Sequence, residues 1–217
     1  MANIFPKWSN KVPLNVIVAL VLCGGALTAG VTYFLTPKYA RVGYQPIQPV
    51  AYDHSFHAGD LGIDCRYCHT YVDRSEHANI PDAATCMNCH NAILPESPAL
   101  APVRASFESG EPIEWVRIHE TPDYVYFNHA VHVNRGVSCV ECHGQINEME
   151  TVYHAKSLTM AFCLDCHRNP ESAVRSLDKV FDLTWRAESE ESQIAQGTEI
   201  VNDWNISPPT SCSGCHR

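Results

Sequence analysis

Five copies of the pattern Cys-x-x-Cys-His run along this chain, and they constrain its fold more than any other feature. In chain order, motifs 1 to 5 are Cys65–His69, Cys86–His90, Cys139–His143, Cys163–His167 and Cys212–His216. The pattern is typical of covalent haem c attachment, in which two cysteines form thioethers and the adjacent histidine is the proximal iron ligand. A zinc site, a redox dithiol or a disulfide pair explains one copy, but none of these needs a histidine after every pair.

The cysteine count fits this interpretation, because ten of the 11 cysteines lie in the motifs and only Cys23 is left over. We therefore expect five covalently bound haem c groups. The predicted thioether residues are Cys65, Cys68, Cys86, Cys89, Cys139, Cys142, Cys163, Cys166, Cys212 and Cys215. The predicted proximal ligands are His69, His90, His143, His167 and His216.

The chain length also limits the fold. Residues 37–217 leave only about 36 residues for each haem, which is too few for five separate protein cores. We therefore predict a mainly α and irregular fold, with one N-terminal transmembrane helix and a multihaem cytochrome c domain whose core is the haems. We expect short helices at the motifs, helical structure over Ser176 to Ile194, and no strand-rich domain.

An apolar segment from Leu14 to Leu35 contains 22 residues and no charge. A helix of that length spans about 33 Å, enough to cross a bilayer core. A cleaved signal peptide is the alternative, but its apolar region is usually only about 7–15 residues long. Because haem c is attached outside the cytoplasm, we expect a single-pass protein of the bacterial cytoplasmic membrane, with the haem domain on the periplasmic side.

An internal repeat organises the rest of the chain. His54, His57 and motifs 1 and 2 recur as His129, His132 and motifs 3 and 4, with offsets of 74 to 77 residues. The predicted divisions are 1–36 (anchor), 37–50 (Pro-rich linker), 51–100 (two-haem module), 101–118 (connector), 119–170 (second two-haem module) and 171–217 (C-terminal segment with the fifth haem).

Seven histidines lie outside the motifs and can supply distal iron ligands. The two His-x-x-His pairs are the best candidates, because residues i and i+3 share a helix face yet can reach two different irons. The candidate distal ligands are His54, His57, His77, His119, His129 and His132, and by the repeat also His154. Met160, three residues before Cys163, is a further candidate, since thioether ligation gives a higher potential than a second histidine.

The two His-x-x-His segments resemble those of class III cytochromes, of the c3 and c7 type. That resemblance implies that His54 and His129 each bind the haem that follows, while His57 and His132 reach neighbouring haems.

The whole chain from about residue 5 resembles the pentahaem cytochrome c component of bacterial alternative complex III. The matching stretches include residues 57–69, 85–90, 123–129 and 160–170. The resemblance implies an electron-transfer subunit of a quinol-oxidising respiratory complex. Its implied partners are an iron–sulfur protein, integral membrane subunits, a monohaem cytochrome, and a terminal oxidase or soluble cytochrome c. In that family Met160 matches the pattern, whereas the position of His154 is often not histidine.

Two other functions compete with this one. A NapC/NrfH-type quinol dehydrogenase also has one anchor, but its first motif follows the membrane closely, whereas 29 residues separate Leu35 from Cys65 here. A multihaem reductase needs an open iron site, which the supply of histidines argues against. We therefore expect no catalytic residues and no enzyme activity of this chain on its own. The formal charge of −9 argues on electrostatic grounds against nucleic acid as a partner.

Overall fold

The computed structural model describes residues 5–35 and 40–216 and divides the chain into two compact units, with the boundary between Val42 and Gly43. In the first unit, a 3₁₀ turn at Lys7–Lys11 leads into helix α1, Val12–Leu35. Proline is tolerated in a first helical turn, which is where Pro13 lies. This is the one helix in the described ranges long and apolar enough to cross a membrane, and a signal sequence would meet the same test.

The second unit consists of short helices joined by irregular chain. The helices are α2 (Cys65–Cys68), α3 (Ala83–His90), α4 (Ala101–Ser109), α5 (His129–Val133), α6 (Cys139–His143), α7 (Met160–Arg168), α8 (Glu190–Asp203) and α9 (Cys212–Cys215). Shorter turns are π-helical at Ser55–Asp60 and 3₁₀ at Pro98–Leu100, Ile146–Glu148, Pro170–Ser172 and Leu177–Lys179. Residues 43–216 contain no strand, only the isolated bridges Val125–His216 and Val137–Val174. The prediction of a mainly helical and irregular fold is confirmed.

The prediction of a helix over Ser176 to Ile194 is wrong for most of that segment, because α8 begins only at Glu190. Side-chain hydrogen bonds hold the earlier part in turns. Asp182 Oδ1 accepts from the backbone N–H groups of Thr184 and Trp185, both at 3.1 Å. The buried Ser138 hydroxyl donates to Val180 O at 2.6 Å. These bonds replace the backbone pairing that a helix would supply.

Two small apolar clusters stabilise the second unit. One contains Val50, Ala83, Met87 and Val103, and the other contains Val72, Val133 and Val180. Neither approaches the size of the single core that a domain of this length normally has. Backbone hydrogen bonds and close approaches between turns also fix the chain.

The two halves of the repeat are joined by such contacts. In one direction, the N–H of Ser55 donates to Met149 O at 3.1 Å, and Gly59 lies so close to Asn147 O that a side chain there would collide with it. In the other, the N–H groups of His129 and Ala130 donate to the carbonyls of residues 76 and 75, at 3.3 and 3.1 Å. Each His-x-x-His segment is therefore held by the other half of the repeat.

The segment after motif 4 is packed onto motif 3. Gly136 has a positive φ of 85° and pairs with Arg175, whose N–H donates to Gly136 O at 2.9 Å. The Arg175 guanidinium, only 5% exposed, forms a 2.5 Å ion pair with Glu141 inside the motif. Gly197 in α8 is crowded by the backbone of Glu171. These contacts bring the C-terminal segment against the rest of the unit.

Candidate haem attachment and iron-ligand sites

Each of the five motifs begins a short helix or lies within one. N-cap side chains start three of them: Asp64 accepts from the N–H of Arg66 at 2.8 Å, Asp82 from Thr85 at 3.0 Å, and Thr159 from Phe162 at 3.4 Å. In a helix, residues three apart lie on one face. The two cysteines of a motif therefore point the same way, and none of the ten forms a disulfide.

Three of the predicted proximal histidines are oriented through Nδ1. His69 Nδ1 is 2.6 Å from Asn79 O, His90 Nδ1 is 2.9 Å from Ile93 O, and His167 Nδ1 is 2.7 Å from Pro209 O. A carbonyl can only accept, so Nδ1 carries the proton and donates it. The Nε2 lone pair then remains for a metal, an arrangement that metal-binding histidines commonly adopt.

The other two proximal histidines, His143 and His216, have a buried Nδ1 with no hydrogen-bond partner. Burial, together with the nearby histidines His119 and His129, lowers the pKa of His143 to about 3. Its ring is therefore neutral, which is the form that binds metal.

The predicted distal histidines include three with the same Nδ1 arrangement. His57 Nδ1 donates to Asp53 O at 2.8 Å, and His132 Nδ1 donates to Asn128 O at 2.8 Å, each four residues back along the chain. His129 Nδ1 donates to Glu76 O at 2.7 Å. In all three rings Nε2 is again the nitrogen left to bind iron.

Ring separations provide a direct test of fit. Two imidazoles on opposite sides of one metal have centroids about 6 Å apart, because each metal–nitrogen bond is about 2 Å and each nitrogen lies about 1 Å from its ring centre. Three pairs of a motif histidine and a non-motif histidine show this spacing. They are His57–His90 at 6.3 Å, His129–His143 at 6.4 Å and His132–His167 at 6.2 Å.

His54 is less fully oriented than its repeat partner His129. Its Nδ1 is buried without a partner, and burial followed by the charges of His69 and His57 lowers its pKa to about 4. The ring is therefore neutral. Among the neighbouring histidines, His69 of motif 1 has the largest effect on the pKa of His54.

The remaining candidates differ widely in their surroundings. The side chain of His77 is 84% exposed and lies 3.4 Å from Glu76, whose backbone carbonyl accepts from His129 Nδ1. His154 is 1% exposed and stacks on His119 at 5.2 Å. His119 is 4.3 Å from His143, too close for a metal between those two rings. Met160 is 65% exposed at the start of α7.

Sequence reasoning missed one part of the sites, an aromatic ring that supports each His-x-x-His pair. Tyr52 stacks on His57 at 4.5 Å, and Phe127 stacks on His132 at 4.8 Å. Both aromatics also contact the first histidine of their pair edge-on. The signal was available, because Tyr52 and Phe127 are matched by the same 75-residue offset as the histidines.

The residues present fit haem c: paired cysteines on one helical face, an adjacent histidine, and opposing histidines at the spacing of two axial ligands. The fold and these sites together define a multihaem c-type cytochrome, a class whose function is electron transfer.

Comparison with known proteins agrees. Residues 125–217 match the family described as cytochrome c7 and related cytochrome c. The multihaem cytochrome c subunit of a menaquinone reductase from Nitratidesulfovibrio vulgaris strain Hildenborough is 30% identical over 149 residues, covering 58% of this chain and 70% of that relative. The chain belongs to the multihaem cytochrome c family, and its haem c is covalently bound.

Proposed function

We propose that this protein is the membrane-anchored pentahaem electron-transfer subunit of a quinol-oxidising respiratory complex of the alternative complex III type. The observation that carries the proposal is the combination of five attachment motifs with histidine pairs already at axial-ligand spacing, which favours low-spin irons without an open coordination site. The similarity to a subunit of a menaquinone reductase supports a link to membrane quinone. The apolar α1 supports anchoring, with the haem domain on the periplasmic side.

We assign four irons to two histidines each. Motif 2 takes His57, motif 3 takes His129 and motif 4 takes His132, because of the ring spacings above. Motif 1 takes His54, by the repeat and because His69 of motif 1 lies close enough to contribute to lowering the pKa of His54. The repeat supports the division into two two-haem modules, 51–100 and 119–170, with motif 5 in 171–217.

For motif 5 we propose Met160 as the distal ligand. Met160 lies one helical turn before Cys163, and Cys163 lies near Cys215 of motif 5. The proximity is evident from the pKa of Cys163, which is raised first by burial and then by the charge of Cys215. The Met160 thioether is exposed rather than packed in an apolar cluster, unlike the buried Met87 and Met149. His119 is the second candidate for this iron.

A haem c, when bound, supplies an iron that accepts and releases one electron. The polypeptide would supply everything else: cysteines that fix the position, carbonyl-anchored histidines whose Nε2 would bind the iron, and aromatics that stop the rings from turning. Because no residue moves a proton or attacks a substrate in this role, the protein functions only together with partners. We propose as partners an iron–sulfur protein, integral membrane subunits, a monohaem cytochrome, and a terminal oxidase or soluble cytochrome c.

Two alternatives remain open to test. A NapC/NrfH-type quinol dehydrogenase would oxidise quinol at this chain itself. The second alternative is a complex that passes electrons to quinone rather than from quinol. The relative, a subunit of a menaquinone reductase, favours this alternative. The direction of electron flow separates this second alternative from our proposal.

The test is purification of the intact chain from its native membrane in mild detergent. We expect five haems per chain, co-purifying membrane subunits, and menaquinol-driven reduction of a cytochrome acceptor. Reduction of menaquinone by reduced cytochrome, with no reaction in the reverse direction, would favour the menaquinone-reducing alternative. A lone chain that oxidises quinol would favour the NapC/NrfH type.

The ligand of motif 5 is tested separately with Met160→Leu, with Met149→Leu as the matched control at a buried methionine. We expect Met160→Leu to convert one haem in five to the high-spin state, with all five still attached. Met149→Leu should leave the spectrum unchanged. An unchanged low-spin spectrum in both variants would reject Met160, and a high-spin haem in His119→Ala would then assign His119 to this iron.

A further inference from the structure

The contacts between motifs give an order in space that differs from their order in the sequence. Motifs 1 and 2 are joined first. The amide of Asn88, inside motif 2, donates to the hydroxyl of Tyr67, inside motif 1, at 3.2 Å. Cys68 lies near Cys86 and Cys89, whose charges, after burial, raise its pKa. Tyr52 lies close enough to Cys68 and Cys86 that both thiols, after burial, raise its pKa.

Motif 1 also contacts motif 3. The thiols of Cys65 and Cys139 lie close enough that each shifts the pKa of the other, lowering that of Cys65 to about 7 and raising that of Cys139. The backbone brings the same regions together, because the start of α5, which precedes motif 3, is hydrogen-bonded to residues 75 and 76, which follow motif 1. The amide of Asn134 adds a bond to Asp73 O at 2.8 Å. Motif 1 therefore neighbours both motif 2, through Cys68, and motif 3, through Cys65.

Motifs 3 and 4 are joined in two ways. Cys142 lies near Cys166 and Cys163, whose charges, after burial, contribute to raising its pKa to about 12. Independently of any thiol, α5 presents His129 and His132 one turn apart, opposite the motif 3 and motif 4 histidines at 6.4 and 6.2 Å. One helical turn therefore presents a histidine to motif 3 and another to motif 4.

Motif 4 leads to motif 5. Cys163 lies near Cys215, and His167 of motif 4 is oriented by Pro209 O at 2.7 Å, three residues before Cys212. The backbone at motif 5 is itself pinned, since the N–H of Tyr126 donates to Cys215 O at 2.8 Å. Both the thiols and the histidine anchor make motif 5 a neighbour of motif 4.

These thiol contacts fix the order of the bound groups because a thioether ties a haem edge within one covalent bond of each cysteine sulfur. When cysteines of two different motifs lie close together, they therefore bring two haem edges together. We propose that the five motifs form one unbranched row in the spatial order 2–1–3–4–5, so that motifs 2 and 5 are its ends. The proposal rests on the electron-transfer function proposed above. It implies that partner proteins exchange electrons at the surfaces around motif 2 and motif 5, and that motif 1, the first in sequence, is internal.

The test is the set of iron–iron distances in the wild-type holoprotein, measured from a cryo-electron-microscopy map of the intact complex. We expect the motif 1 iron to have the motif 2 and motif 3 irons as its nearest neighbours, and the motif 2 iron to have one near neighbour. A motif 2 iron that lies between motifs 1 and 3, or a branched arrangement, would overturn the order.

Two matched variants test the same order in solution. Cys65→Ala/Cys68→Ala removes the haem of motif 1, and Cys86→Ala/Cys89→Ala removes that of motif 2. Each variant is then reduced by a flash with less than one electron per chain, and the redistribution of electrons among the four remaining haems is followed. Loss of the internal motif 1 haem should split this redistribution into a fast and a slow phase, whereas loss of the terminal motif 2 haem should not. A slow phase only in the motif 2 variant would contradict the order, and if neither variant retains four haems, the wild-type map decides.

Neither measurement uses quinol or a partner assay. Failure of quinol oxidation would therefore leave the order standing, whereas a different order would leave the proposed function intact.

Discussion

The two halves of the repeat reach the same ligand geometry on different backbones. His57 lies in the π-helical turn Ser55–Asp60, whereas His132 lies in the α-helix α5. Even so, each ring bonds the carbonyl four residues earlier, stacks on an aromatic five residues earlier, and lies 6.3 or 6.2 Å from the second motif histidine of its half. The anchors on the ring, rather than the type of helix, determine where Nε2 points.

The π turn has a cause in the sequence. Seven residues separate His57 from Cys65 in the first half, and six separate His132 from Cys139 in the second. A π turn closes its hydrogen bond over one more residue than an α turn, as the bond from the N–H of Leu61 to Phe56 O at 2.9 Å does. The first half therefore accommodates its extra residue without displacing the histidine pair.

The largest expected effect tests whether the two pairs are equivalent. We expect His57→Ala and His132→Ala each to convert one haem in five to the high-spin state, because each removes one axial ligand while every thioether remains. Haem content per chain and the high-spin electron paramagnetic resonance signal measure this result. Tyr52→Leu and Phe127→Leu are the matched controls, which should loosen the rings without loss of a ligand.

A result in which only one of the two histidine variants becomes high-spin would break the equivalence. The half that stays low-spin would then have its distal ligand elsewhere, and the axial-ligand spacing in that half would have a different explanation.

The two halves differ more in their glycines. Gly62 and Gly136 each lie three residues before the first cysteine of motif 1 or motif 3, and both have positive φ, 63° and 85°. A side chain at Gly62 would meet no atom within 4 Å, whereas a side chain at Gly136 would collide with Arg175 O. We expect Gly62→Ala to destabilise folding by about 1–2 kcal/mol from backbone strain alone. Gly136→Ala should cost about 2–5 kcal/mol, because displacement of the Arg175 backbone adds to that strain.

The midpoint of guanidinium unfolding of the five-haem protein measures both glycine variants. Equal costs would mean that the contact between motif 3 and the C-terminal segment contributes little to stability.

The sequence predicted some of this molecule well, and the failures have identifiable causes. Motif spacing predicted the helices at the motifs, because the pattern is local. The His-x-x-His offset marked the residues that the fold brings to axial-ligand spacing. It did not predict that helical structure would be absent from most of the segment after Ser176, where the bond from Ser138 to Val180 O overrides local propensity. The spatial order of the motifs depends on contacts between residues far apart in sequence, such as Cys65 with Cys139, and no local pattern encodes them.

The repeat also matches His77 with His154, yet their surroundings are opposite. His154 is buried and held by the backbone, since its N–H donates to Tyr44 O at 3.0 Å and its carbonyl accepts from Gly43. His77 projects from the surface beside Glu76. A 77-residue offset between two histidines is therefore no guide to their roles.

This contrast gives a third prediction. We expect His154→Ala to destabilise folding by about 2–4 kcal/mol, because it leaves a cavity and disturbs a buried polar contact. His77→Ala should change stability by less than about 0.5 kcal/mol and leave the visible spectrum low-spin. Thermal unfolding and the Soret spectrum are the measurements. A high-spin haem in His77→Ala would make this exposed histidine a ligand after all.

The smallest expected effect concerns the helices that carry the second motif of each half. Asp82 caps α3 and Thr159 caps α7, at positions matched by the same 77-residue offset. The Asp82 carboxylate accepts from both the N–H and the hydroxyl of Thr85 at 3.0 Å, whereas Thr159 accepts one longer bond of 3.4 Å. We expect Asp82→Ala to cost about 1 kcal/mol and Thr159→Ala about 0.5 kcal/mol in the free energy of unfolding.

The conservative variants Asp82→Asn and Thr159→Ser retain a capping oxygen and should restore most of the lost stability. Guanidinium unfolding of the five-haem protein compares all four. If both alanine variants unfold at the wild-type midpoint, the thioethers alone hold these helices, and the caps matter only before haem attachment. A larger loss of unfolding free energy in Thr159→Ala than in Asp82→Ala would instead show that α7 contributes more to stability than its weaker cap indicates. Helix α7 carries motif 4, which lies between motifs 3 and 5 in the proposed row.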